Sequence, residues 1–387
     1  MPRWNPIVPP TDRSPMPFAD ELIGVPTARA LTAAIQAAAP SAELTALHAA
    51  SDALAPLSLR ERSDLLRDAL LTDLPGDYDT FAGTIRAAVQ GTLPFSGWLI
   101  WPVTSAIAAK AIDAGTDAAF DDGMRMLAAL TSRLTSEFAV RPLLTHDLTR
   151  AMPIVLGWTG STDPAVRRLA SEGTRPFLPW AIRVPGILAD PTLTLPVLHA
   201  LYRDEDEVVR RSVANHLNDL SRQQPDLVVA TTAGWLAAPD ANTGPLVRHA
   251  LRTLVKKGHP QALAQLGFHP AEVHVVGPVL DAETLVFGGT IGFTVDIRNT
   301  GAEPARLAVD YVMHHQKANG SLTGKTFKLT TVTLAAGETV RLARSHSFRA
   351  ITTRRYHPGV HALEVQVNGV ASGLAQFILL PPAGHPV

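Results

Sequence analysis

The hydrophobic period of this chain changes near Gly267. Up to about Leu266 apolar residues recur three and four apart, as on the buried face of a helix. Beyond Gly267 they alternate, as on a strand with one face in a core. No single element satisfies both periods, so the chain must join a helical region to a β region. LSLRERSDLLRDALLTDLP, Leu57 to Pro75, reads as an amphipathic helix ended by Pro75. TIGFTVDIRNTG puts Ile291, Phe293, Val295 and Ile297 on one face before a turn. ARLAVDYVM, KTFKLTTVTL and HALEVQVNGV continue the alternation, which predicts an immunoglobulin-like β-sandwich.

Within the helical part a unit repeats. DPAVRRLASEG, DEVVRRSVANHLNDL and TGPLVRHALRTLVKKG each set a turn residue before Val-Arg and a helix. The valines are Val166, Val209 and Val247, at steps of 43 and 38 residues. Those steps suit HEAT-type helix pairs, which cannot bury their apolar faces alone and stack into a solenoid. The predicted fold is therefore multidomain α and β, a HEAT-like α-solenoid followed by a C-terminal immunoglobulin-like β-sandwich. Its expected parts are a loose Pro-rich tail over 1–16, the solenoid over 17–269 and the sandwich over 272–382.

Composition narrows the chemistry. The 387 residues are 46% hydrophobic and 18% charged, which supports packed cores, and contain no Cys. Disulfide frameworks, Cys-ligated zinc and thiol catalysis are thereby excluded. MPRWNPIVPPTDRSP has no apolar segment of a secretory leader. GTLPFSGWLIWPVTSAIAAK is broken by Gly, Pro and Ser, so no spanning helix is expected there. A soluble cytoplasmic monomer is the expectation, without membrane contact, metal or cofactor. The net charge of −1 divides unevenly, as −6 over 1–139, +3 over 140–260 and +2 over 261–387. The basic middle permits a polyanionic partner.

Two motifs mislead. GSLTGKT, Gly320 to Thr326, resembles a phosphate loop but is one residue short between its glycines and lies between strands, so a hairpin turn is expected. HPGVH spaces two histidines four apart, but Pro-Gly forbids the helix that metal pairing would use. A solvated strand entry is expected there.

Three carboxylates remain. Glu137, in TSEFAVRPLL, reads as late in a helix with Arg133 and Arg141 four residues to either side, a surface ion-pair ladder on pattern alone. Glu172 stands at a helix end, in SEGTRPFLPWAIRVP, beside Arg175, Arg183, Trp180 and three prolines. Asp219 follows the stripe Val209, Val213, Leu217 and Leu220, on a face with Arg211, Asn215, Asn218 and Arg222 that reads as solvated. Arg248, Arg252 and Lys256 form a cationic stripe every four residues. By pattern, a non-enzymatic HEAT scaffold binding DNA or protein stands beside an enzyme.

Taken together, TSEFAVRPLL, SEGTRPFLPW and SVANHLNDLSRQQPDLV resemble the AlkC branch of bacterial DNA alkylation-repair glycosylases. GWLIWPVTSAIA resembles the Trp-Pro helix upstream of that family's first motif. The resemblance covers nearly the whole chain, including the immunoglobulin-like domain of one subgroup. It implies a pocket of two glutamates, an aspartate and a tryptophan, matching Glu137, Glu172, Asp219 and Trp180. It further implies excision of N3-alkylated bases from double-stranded DNA in base excision repair, with the lesion still largely stacked and the β-domain set against DNA. Lys325, Lys328, Arg354 and Arg355 are that domain's basic candidates, and a rigid stabilising appendage is the alternative role.

The residues fit that chemistry. Alkylation at N3 makes the base cationic and a good leaving group, so a strong general acid is unnecessary. Fixed carboxylates favour both the cationic base and the oxocarbenium-like sugar. One of them can orient the attacking water. A tryptophan face favours the cation. Arg175, Arg211, Arg248, Arg252 and Lys256 are the expected phosphate contacts. No lysine lies between Lys110 and Lys256, so the motif region supplies no Schiff-base amine.

Overall fold

The computed structural model describes residues 22–351 and 354–382. The expected tail, 1–16, lies outside the described residues. Helices occupy the chain from Val25 to Gln265, and β-strands run from Val273 to Leu380. By internal packing the chain forms two compact units, which divide between His216 and Leu217, inside the Glu207–Leu220 helix.

In the first unit the helices pack mainly on others one to three places away in sequence, the local pattern of a repeat array. The helix expected from Leu57 to Pro75 runs Leu59–Asp73. Ser58 and Glu61 form its capping box, and Leu66 and Leu70 face the core. Arg62 is buried on the same helix and donates to the carbonyls of Ile23, Leu57 and Ala55.

The Val-Arg repeat acquires a physical meaning. Arg167 Nη1 donates to Ser161 O at 2.9 Å and Thr162 O at 3.3 Å. Arg210 Nη1 donates to Asp204 O at 2.6 Å and Glu205 O at 2.8 Å. In both, the arginine reaches back five and six residues and ties the preceding turn to the new helix. Arg167 also grips the Asp204 carboxylate with two bonds of 2.7 and 2.9 Å. Arg248 departs from this use and is exposed.

The second unit carries the strands. A three-stranded antiparallel sheet, β1 (Val273–Leu280), β3 (Thr290–Asn299) and β6 (Thr339–Ser347), is ordered β1-β3-β6. A five-stranded sheet is ordered β2-β8-β7-β4-β5, from β2 (Thr284–Val286), β8 (Val370–Leu380), β7 (Gly359–Val367), β4 (Ala305–Gln316) and β5 (Leu322–Leu334). Its neighbours are antiparallel except β2 and β8. Ile291, Phe293, Val295 and Ile297 are buried as the alternation predicts, against Leu307, Val309, Tyr311, Met313, Leu363 and Val365. GSLTGKT begins in the β4–β5 turn, where Lys317 N–H donates to Ser321 O, and runs into β5. The histidine expectation needs correction. His361 does enter a strand, yet it is wholly buried among aromatic rings of the sandwich rather than solvated.

The helices from Pro225 to Gln265 pack with this sandwich in one compact unit. Gly258, at φ +73°, lies so close to Gly369, at φ +79°, that a Cβ on Gly369 would fall 2.4 Å from Gly258 Cα. Both positions therefore require glycine for conformation and for space. Arg306 donates to Leu266 O and lies over the Phe268 ring, and Asn368 donates to His269 O.

Candidate active site

Two of the predicted carboxylates come together in the first unit. Glu172 lies in the last turn of the Pro164–Gly173 helix, and Glu137 lies in the turn before the Val140–His146 helix. Arg168, one turn before Glu172, stands between them. Its Nη1 is 2.8 Å from Glu137 Oε2 and its Nη2 is 3.9 Å from Glu172 Oε1. Thr135 Oγ1 donates to the same Glu137 oxygen at 3.0 Å.

The two carboxylates are held differently. Glu137 is half-buried, and only its Oε2 carries these bonds. Glu172 is 6% exposed and engaged through both oxygens. Arg175 Nη1 lies 2.6 Å from Oε1, and Ser212 Oγ donates to Oε2 at 2.6 Å. Charge-assisted bonds of this length fix a carboxylate strongly. Glu172 thus presents a fixed negative charge, whereas Glu137 keeps an oxygen that can meet water or substrate.

Behind Glu172, His216 is fully buried, and its Nδ1 lies 3.0 Å from Ser171 O. A carbonyl oxygen only accepts, so Nδ1 carries the proton. Burial pushes the His216 pKa down to about 3, which keeps the ring neutral.

The corner after Glu172 is clamped from the core. Arg141 is completely buried and donates through Nη1 to Gly173 O and Arg175 O, each at 2.9 Å, and through Nε to Ile182 O. One guanidinium therefore closes both ends of the corner. Trp180 lies within it, at φ +61° and 69% exposed. A positive φ is costly for a bulky residue and persists where the surroundings impose it. The ring consequently faces solvent, where a ligand can reach it. Trp101 stacks on Phe138 beside Glu137, with ring centroids 4.6 Å apart. A cleft of about 560 Å³ is lined in part by Trp101, Phe138, Ala181 and Ile182.

Several expectations change here. Glu137 is not late in a helix, and its cation is Arg168 rather than Arg133 or Arg141. Arg133 donates instead to Phe95 O, and Arg141 serves the corner. A buried guanidinium, besides the three prolines, holds the corner. Arg175, expected on DNA phosphate, is buried with its charge against Glu172. The Glu207–Leu220 helix is buried on more than its apolar stripe, since Ser212, His216, Asn218 and Asp219 are also buried. Asp219 therefore does not lie on a solvated face.

Arg211, Arg248 and Lys256 are exposed, and Arg252 is half-buried with Nη1 donating to His249 O at 2.7 Å. The cationic stripe is split at Leu251, between the Thr243–Ala250 and Arg252–Lys256 helices. Arg168, Ser212 and His216 escaped the sequence reading. The signal for Arg168 was its place four residues before Glu172, a spacing that brings two side chains onto one helix face.

Known proteins share this architecture. A family model for the C-terminal Ig-like domain of the uncharacterised protein YhaZ matches residues 274–381. Uncharacterized protein YhaZ of Bacillus subtilis is 33% identical over 322 residues, covering 83% of this chain and 87% of that protein. A solved structure of the Pseudomonas fluorescens alkylpurine DNA glycosylase AlkC, bound to DNA containing an abasic site analog, matches with a TM-score of 0.83. It is 33% identical and covers 94% of this chain and 100% of its own. Shared sequence and shared fold over most of both chains lead to one conclusion: this chain belongs to the AlkC family of DNA glycosylases.

Proposed function

We propose that this protein is a monofunctional glycosylase that hydrolyses the N-glycosidic bond of cationic N3-alkylated bases, 3-methyladenine and 3-methylcytosine, in double-stranded DNA. The observation that carries the reading is Glu137 and Glu172 sharing Arg168 in a corner that also exposes Trp180. Glu172, tied through both oxygens, supplies fixed negative charge to the departing base and the oxocarbenium-like sugar. Glu137, with an oxygen to spare, orients the attacking water. Trp180 offers its face to the cationic base, worth on the order of 0.5–2 kcal/mol. Asp219 is assigned as a third catalytic carboxylate. Arg211, Arg248, Arg252 and Lys256 bind phosphates, and the enzyme works as a cytoplasmic monomer.

The reading is supported by the solved relative, an alkylpurine DNA glycosylase bound to abasic-site DNA. The absence of lysine from 111 to 255 favours water over an amine as nucleophile. The test is release of free base by the purified protein from duplexes carrying 3-methyladenine, 3-methylcytosine or uracil. Both methylated bases should be released and uracil should remain. Rapid removal of uracil, or intact methylated duplex, overturns the proposal.

A further inference from the structure

The strongest restraint on Glu172 besides its arginine is a neutral hydroxyl from another helix. Ser212, on the Glu207–Leu220 helix, is 2% exposed, and its Oγ lies 2.6 Å from Glu172 Oε2 and 3.1 Å from Ser171 Oγ. A hydroxyl has one proton. An ionised carboxylate is the stronger acceptor, so that proton goes to Glu172, and the Ser171 hydroxyl donates into Ser212 Oγ. The chain of donation runs Ser171 to Ser212 to Glu172. Each bond polarises the next, in a site from which water is excluded. One turn on, His216 donates from Nδ1 to Ser171 O, which fixes the backbone beside Glu172.

We propose that Ser212 is a positioning residue for the glycosylase reaction, acting through Glu172. Arg175 and Arg168 both approach Glu172 Oε1. Without Ser212, Oε2 loses its hydroxyl donor and the carboxylate can rotate about its own axis while its arginine contact survives. The charge would persist but its direction would not, and electrostatic stabilisation of a transition state depends on preorganised direction. The inference rests on the assignment of Glu172 as catalytic, and its test separates the two.

Single-turnover release of 3-methyladenine is measured for the wild type, Ser212→Ala, Ser212→Cys, Glu172→Gln and the Ser212→Ala/Glu172→Gln double variant, with duplex affinity and thermal unfolding recorded for each. Ser212→Ala should lower the rate roughly tenfold to a hundredfold, as loss of a hydrogen bond to a charged group does. Affinity should hold, and Ser212→Cys, which keeps a weak donor, should recover part of the rate. In the Glu172→Gln background, Ser212→Ala should cost little more, because the group it orients has lost its charge. Equal losses in both backgrounds indicate a structural role only and overturn the proposal, as does a full rate in Ser212→Ala. A full rate in Glu172→Gln removes the catalytic assignment of Glu172, and the inference with it. An inactive wild type removes the functional reading itself.

Discussion

Arg168 Nη1 lies 2.8 Å from Glu137 Oε2, and its Nη2 extends towards Glu172. Two carboxylates brought near one another repel, and a shared cation makes the pairing tolerable. Arg168 is 29% exposed at its side chain, so its worth to stability is modest and its effect should appear in catalysis. Arg168→Met should cut single-turnover base release by roughly tenfold to a hundredfold with little change in melting temperature. Arg168→Lys keeps the charge but loses the planar fork, and should fall between. A rate unchanged in both variants would separate Arg168 from the chemistry.

Glu172→Gln should reduce the single-turnover rate by roughly 10²–10³, the usual effect of removing one preorganised electrostatic group. At a solvated helix end the amide would leave stability untouched. Glu172 and Arg175 are buried together, however, and the amide removes the charge that Arg175 Nη1 meets at 2.6 Å. A loss of about 3–5 kcal/mol, the usual cost of breaking a buried ion pair, is expected in urea unfolding. Duplex affinity should hold or rise slightly, since a negative charge is gone.

Arg141 tests the corner rather than the chemistry. Arg141→Met removes the donor to Gly173 O, Arg175 O and Ile182 O in a completely buried place. Carbonyls left without partners cost about 1–3 kcal/mol each when they stay buried. The variant should melt well below the wild type, and limited proteolysis should open the chain first between 174 and 184. Wild-type resistance there would show that the prolines suffice.

How far the sequence could be read follows from what each signal measures. Periodicity reports which side chains face a core, so the helices, the strand faces and the Ile291–Ile297 stripe were legible. It is silent about what a polar side chain meets across the fold. Arg141 has Glu137 four residues before it and so resembles a surface partner, yet it is buried among the carbonyls of the corner, which are at least 32 residues away in sequence. Asp219 lies off the apolar stripe of its helix and reads as solvated, but a helix packed on several sides buries more than one stripe, and Ser212 is buried with it. Joint motifs single out Glu172 and Trp180 as candidates, whereas the arginines and hydroxyl packed around them are visible only in the fold.

The basic stripe should act unequally. Arg248 and Lys256 are exposed, whereas Arg252 is partly engaged with His249 O. Arg248→Ala and Lys256→Ala should each lower the salt slope of duplex binding by about 1, as expected for one phosphate contact. Arg252→Ala should lower it less. Slopes equal to the wild type's would move the phosphate surface elsewhere on the chain.

The sandwich should weaken in acid, for a reason written in its core. His315, His346 and His361 cluster there, with ring centroids of His315 5.9 Å from His346 and 5.8 Å from His361. Among the described residues, neither ring nitrogen of His315 has a hydrogen-bond partner, whereas His346 Nδ1 meets the Tyr311 hydroxyl at 3.0 Å. Burial, followed by the positive charge of Arg354, pushes His315 down to about 3 and His346 down to about 4. Burial also lowers His361. Below the unfolded value of 6.5 the open chain binds protons that the folded sandwich refuses. Stability from these rings is therefore complete above about pH 6.5 and is lost as pH falls towards 4 for His346 and 3 for His315. Asp310 works the other way. Burial raises it to about 6, against the opposing charges of Lys328 and Lys256, so its contribution is present in acid and lost as pH rises from 3.8 to 6. Three histidines against one carboxylate leave a net loss in acid. Amide hydrogen exchange, corrected for its intrinsic pH dependence, should show β4, β6 and β7 losing protection between pH 6.5 and 4. His315→Phe, which keeps a ring but cannot take a proton, should flatten that dependence. An equally steep loss in the variant would remove His315 as a source of the acid sensitivity.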